Sequence, residues 1–175
     1  LINYAPFHGT TTVLRTFSGP TTPGQRLDIF DEAIASFPPQ ANYLRLVMYN
    51  QIIENWRSFT ELEARAALAI ADREGEEAIA REPEEWRLYL PLSTVYHLGS
   101  SLDARYRERA RELVEIAELL APNRIEVNLH AVRLHLFERD YGRAQEVLDS
   151  YLERNPRATP QFEVLQREID RLTDQ

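Results

Sequence analysis

The spacing of four prolines constrains this chain more than any other feature. Pro38, Pro83, Pro122 and Pro156 each stand at the end of an apolar-periodic run, at intervals of 45, 39 and 34 residues. Proline lacks an N–H and its ring clashes with the preceding turn, so each of them stops a helix. Periods of this size belong to helical-hairpin repeats. The residues upstream keep the same register. Ala33, Ala78 and Ala117 stand five positions before the first three prolines, and Ala71, Ala110 and Ala144 stand twelve before the last three. A small side chain at such points lets two helices approach closely. Arg26 and Tyr151 are the two positions that break the pattern.

No segment shows the sustained period-two alternation of strands. The expected fold is therefore all-α, a right-handed α-solenoid of helical hairpins in one domain. Its units are placed at roughly 7–38, 41–83, 84–122 and 125–156, with a capping helix at 160–173. Individual helices are expected near 7–17, 25–36, 41–58, 60–81, 84–98 and 103–121. Pro91 falls inside one of these and is expected to kink it or to mark its true start. Ser18 to Gly24 reads as a loop on composition, and Gly99-Ser100-Ser101 opens a long connection.

The last unit is the clearest. Ile125 to Glu138 carries two apolar stripes, Ile125, Leu129, Val132, Leu136 and Val127, Ala131, Leu134, so that helix packs on two sides. Arg139-Asp140-Tyr141-Gly142 reads as the turn. Arg143 to Asn155 is the second helix, with Ala144, Val147, Leu148, Tyr151 and Leu152 facing inward. The 160–173 helix sets Phe162, Leu165, Ile169 and Leu172 against polar Gln166, Glu168 and Arg171, as a terminal cap requires.

Composition narrows the function. With 175 residues, 43% hydrophobic and 27% charged, the chain suits one soluble folded domain. A net charge of −8 argues against nucleic acid and anionic membrane as partners. No cysteine is present, which excludes disulfides, a thiolate nucleophile and Cys-type zinc sites. All 20 basic residues are arginine, so Schiff-base chemistry and a phosphate-loop lysine are excluded too. The lysine deficit reads as coding bias. The chain opens on Leu1 without signal-peptide features, and no window approaches a spanning segment. It is expected to be a fragment of a longer protein.

Candidate chemistry is sparse. His130 and His135 are five apart on one helix and do not face together. No zinc, calcium-loop or phosphate-loop pattern occurs, so His8, His97, His130 and His135 read as packing or surface residues. Glu74, Glu76, Glu77, Glu82, Glu84 and Glu85 read as a solvated helix end. Arg105, Arg107, Arg109 and Arg111 read as an exposed helix laced with ion pairs to Glu108, Glu112 and Glu115. The expectation is no catalytic residue, no cofactor and no metal.

Aromatics matter more. Tyr43, Tyr49, Trp56, Trp86, Tyr89 and Tyr96 lie on first helices of the hairpins or at their ends. Stacked hairpins turn their first helices to a concave groove, which suits a chain-like partner. Tyr49, Trp86, Tyr89 and His135 are the candidate groove residues. The expected partner is a protein or peptide segment, biased by the net charge towards a basic one. The competing reading, favoured for the tryptophans, is that such aromatics fill the space between hairpins.

The stretch 122–156 resembles a tetratricopeptide repeat. Ala144 stands where that pattern has an early alanine in the second helix, Asp140-Tyr141 just before it, and Pro156 at the close. Asn128 stands where the family favours a large aromatic, and Val132 where it favours glycine. Nearly the whole chain also resembles the soluble C-terminal region of O-antigen ligase and polymerase family membrane proteins. The stretches that carry this are Asn3 with Pro6, Arg26-Leu27-Asp28-Ile29-Phe30-Asp31-Glu32-Ala33, the helix around Arg45, and Leu119-Leu120-Ala121-Pro122-Asn123-Arg124. The resemblance implies a non-catalytic scaffold on a bacterial envelope-polysaccharide enzyme. Glycosyl transfer would reside in membrane parts that this segment lacks, and membrane contact would run only through them. The rival function is a free-standing adaptor or accessory subunit of a larger complex.

Overall fold

The computed structural model describes residues 22–36, 41–157 and 160–173. Of these, 85% are helical and none lies in a strand. The helix expected at 7–17, and the first proline stop at Pro38, lie outside the described residues. The helices are α1 (Pro23–Ser36), α2 (Ala41–Asn55), α3 (Glu61–Arg81), α4 (Trp86–Gly99), α5 (Arg105–Leu120), α6 (Ile125–Phe137), α7 (Tyr141–Arg154) and α8 (Pro160–Thr173). A single 3₁₀ turn, Trp56–Ser58, continues α2.

Local chemistry sets the starts. Thr60 caps α3 with a full capping box: Glu63 N donates to Thr60 Oγ1 at 3.3 Å, and Thr60 N donates to Glu63 Oε2 at 2.9 Å. Asp140 caps α7, its Oδ1 accepting from Arg143 N at 3.1 Å. Tyr141 and Gly142, expected in the turn, therefore belong to the helix, and the reversal falls on Arg139 with φ of 61°. Trp86 begins α4, and the helix runs through Pro91, so that proline is not its start.

Three helix ends share one geometry. Glu82, Ala121 and Asn155 close α3, α5 and α7 at φ of −134°, −143° and −133°, each donating its N–H four residues back. Each precedes a proline, whose ring excludes the α region for the residue before it. The starts of α4 and α6 match too. Tyr89 donates its hydroxyl to Pro83 O at 2.7 Å, and Asn128 donates Nδ2 to Pro122 O at 2.9 Å. Both bonds reach six residues back and tie a first helix to the preceding proline. Tyr89 and Asn128, unlike in size, thus supply the same thing: a donor that reaches the loop.

Packing follows a simple rule. The principal contacts join successive helices, or alternate ones: α1 with α3, α2 with α4, α4 with α6, and α6 with α8. One core spans α1 to α5 and a second spans α6 to α8, where Tyr151 stacks on Phe162 at 4.5 Å between centroids. The six register alanines, Ala33, Ala71, Ala78, Ala110, Ala117 and Ala144, are all buried. The tightest approach involves glycines instead. A Cβ on Gly75 would meet Leu92 at 2.5 Å, and one on Gly99 would meet Leu68 at 2.4 Å. So α3 and α4 are held together by two reciprocal leucine-on-glycine contacts.

Replacing Ala110 or Ala144 with leucine is expected to cost about 1–3 kcal/mol through overpacking. Urea midpoints check this, and unchanged midpoints in both variants would refute the register.

Candidate functional site

The alternate packing of α4 on α6 leaves a cleft between them. Thr94 and His97 project from α4. His130, Arg133, Leu134 and Phe137 project from α6 at helical spacing, on one side of that helix. Together they line a cavity of about 220 Å³.

Its floor is the half-buried His130 ring, which pairs with the hydroxyl of Ser93 behind it. Ser93 is fully buried, and its Oγ lies 2.7 Å from His130 Nε2 and 2.7 Å from Leu90 O. The single hydroxyl proton goes to the carbonyl, so His130 carries its proton on Nε2 and donates to Ser93. This is the reverse of a nucleophile–base pair, in which the imidazole must accept the serine proton. Burial, with Arg133 and His97 nearby, pulls the His130 pKa down to about 4. The ring is neutral at neutral pH.

His97 forms the other wall. Its Nδ1 is buried without a hydrogen-bond partner. Burial lowers its pKa, Glu138 opposes that shift and Arg107 reinforces it. Its ring lies 5.3 Å from that of Phe137, which is 72% exposed. Arg133 is exposed and, among the described residues, has no carboxylate partner. The arrangement offers neutral imidazoles, an exposed ring and one unpaired guanidinium. It has room for a ligand group, and with the hydroxyl proton on Leu90 O the Ser93–His130 pair is not set as nucleophile and base.

The structure corrects the expected groove. Tyr49 is 0% exposed and Tyr89 is 2% exposed, so both are core residues and neither offers contact area. Tyr49 sits beside Arg45 and Glu74 with its hydroxyl unpartnered. Trp86 is half-buried, with Arg87 and Arg124 at 5.7 and 5.9 Å from its ring. His135, on α6 like His130, is buried and lies outside the cleft lining. Sequence reading did not single out Thr94, Arg133 or Phe137. The signal was a polar and aromatic stripe, 126, 130, 133, 137, on an otherwise apolar helix.

The acidic cluster is also corrected in part. Glu74 is no solvated residue: its Oε2 accepts from Arg45 Nε and Nη2 at 3.0 and 2.9 Å, and both side chains are buried. Arg73 bridges Glu74 Oε1 to Asp31, tying α3 to α1. Of the α5 arginines only Arg109 pairs as expected, with Glu112 at 3.1 Å; Arg105 pairs with Asp103 at 2.9 Å, Arg111 reaches Glu138 at 2.6 Å, and Arg107 makes no ion pair among the described residues. Among the described residues no three His, Asp or Glu side chains converge as a metal site, and no helix is long and apolar enough to cross a membrane. Comparisons with protein-family models, with curated proteins and with solved structures find nothing that matches this chain.

Proposed function

We propose that this chain is a non-catalytic interaction module, an array of tetratricopeptide-like hairpins that receives a protein segment along its first helices α2, α4 and α6. One observation carries the reading: alternate helices pack on each other and leave an open cleft, lined by an exposed aromatic and an unpaired arginine. The shared geometry of the ends of α3, α5 and α7 supports the repeat register. That the module serves an O-antigen ligase-like membrane enzyme rests on the residue resemblances at 26–33 and 119–124.

The test is site-specific photo-crosslinking in the native cell, with the crosslinker at Arg87, Arg133 or Phe137. All three are on first helices and are exposed or carry exposed side chains. A discrete partner protein is expected from Arg133 and Phe137, and from no crosslinker placed on the polar face of α8, such as at Glu168. Equal, unspecific capture from both faces would overturn the reading. Identification of a polysaccharide-assembly protein supports the ligase-like parent; an unrelated complex supports the adaptor.

A further inference from the structure

We infer that the α4–α6 cleft takes a carboxylate carried next to a large apolar side chain of the partner segment. The inference rests on the interaction-module reading and specifies its ligand chemistry.

The size of the cavity comes first. At about 220 Å³ it is smaller than the roughly 300 Å³ at which drug-sized pockets begin, and it matches one large side chain. Its walls accept an apolar group. Leu134, the exposed Phe137 ring and two imidazoles held neutral by burial face it, and an aromatic guest can lie offset against Phe137 or His97.

Charge decides the rest. The chain as a whole is strongly acidic, yet Arg133 sets an unpaired positive charge beside His130 at the mouth of the cleft. Arg133 lies at its rim without a partner, and Arg107 faces His97 from α5. The carboxylate that acts on His97 is Glu138, and its effect exceeds that of Arg107. Its Oε2 is held by Arg111 and its Oε1 is buried without a partner; the side chain is only 2% exposed, so it does not reach a ligand at the mouth. A guanidinium with all its donors open recognises a carboxylate best, because two parallel N–H bonds match the two oxygens.

The probe is 3-phenylpropionate, compared with its uncharged amide, read by the imidazole NMR signals of His97 and His130 in the intact chain. The acid is expected to shift both sets of signals saturably, and the amide to bind about tenfold more weakly, as loss of a charge-assisted pair predicts. Arg133→Gln is a surface substitution that leaves the fold intact. It is expected to abolish the difference between acid and amide, while Phe137→Ala weakens both. Two short peptides separate the sources of the carboxylate. An acetylated peptide ending in a free C-terminal phenylalanine carries it on the chain end, and an amidated Phe-Asp peptide carries it on a side chain. Binding of either supports the inference and names the source. Equal binding of acid and amide, or no shift with any probe, overturns it. If photo-crosslinking still captures a partner and Arg133→Gln does not weaken that capture, the ligand chemistry fails while the interaction module stands.

Discussion

Replacing Glu74 with alanine is expected to lower stability by about 3–5 kcal/mol, near the lower end of that range, because it leaves the buried Arg45 guanidinium without its main counter-charge. Arg45 is 1% exposed. Two of its nitrogens donate to one Glu74 oxygen, and a third donates to Asn42 Oδ1 at 2.9 Å. Glu77, at 3.3 Å and partly exposed, offers only partial replacement. A loss of this size is a large share of the roughly 5–15 kcal/mol by which domains are stable. The exposed pair Arg65–Glu61 is the control. Both partners are more than half exposed, so Glu61→Ala is expected to cost about 0.5 kcal/mol or less. Urea denaturation of the two variants checks the contrast. Removing both charges together, Arg45→Met with Glu74→Leu, is expected to recover most of the loss, since a well-packed apolar pair can replace a buried ion pair. Similar losses in the Glu74 and Glu61 variants would show that the buried pair is not what anchors α3 to α2.

Acid is expected to weaken the fold through His130. Its folded-state pKa lies at about 4, below its ordinary value of 6.5. A histidine with a lowered pKa binds its proton more readily in the unfolded chain. Its contribution is therefore complete above the unfolded value and is lost as pH falls from 6.5 towards 4. At about 1.36 kcal/mol per pH unit, the loss reaches about 2.5 kcal/mol near pH 4.5. His97 and His135 shift in the same direction, chiefly by burial, and add to it. The measurement compares urea midpoints at about pH 7 and about pH 4.5 for wild type and His130→Gln, which stays neutral and polar at both. The variant is expected to lose about 2 kcal/mol less over that interval, since carboxylate titration is common to both proteins. Equal losses would mean that His130 is not buried as a neutral ring.

Some of this was legible from residues alone. The alanine–proline register needs only local rules: a proline ends a helix, and a small side chain marks close approach. All six alanines are buried, and α3, α5 and α7 end two residues before Pro83, Pro122 and Pro156. Boundaries slipped where a cap rather than periodicity decides, as at Asp140, where the side chain starts α7 two residues earlier than expected. Gly75 carried no sequence signal, because a glycine inside a helix looks like a weak residue until its facing leucine is known, and Gly99 read as the opening of a connection although it ends α4 against Leu68.

The cleft was hidden for a different reason. Helical periodicity says that a face is apolar, and not which neighbour covers it. Tyr49 and Tyr89 satisfy the spacing of a groove and of a core equally well; only the stacking of α2 on α4 places them inside. Glu74 likewise belongs to an acidic run by sequence, and becomes a buried partner only because Arg45 faces it from another helix, 29 residues away. The sequence thus determined the helices, their ends and the positions of close approach, since each depends on neighbours a few residues away. Tertiary structure alone decided which aromatics are covered, which carboxylate is buried and where Arg133 stays unpaired, since those depend on side chains that different helices bring together.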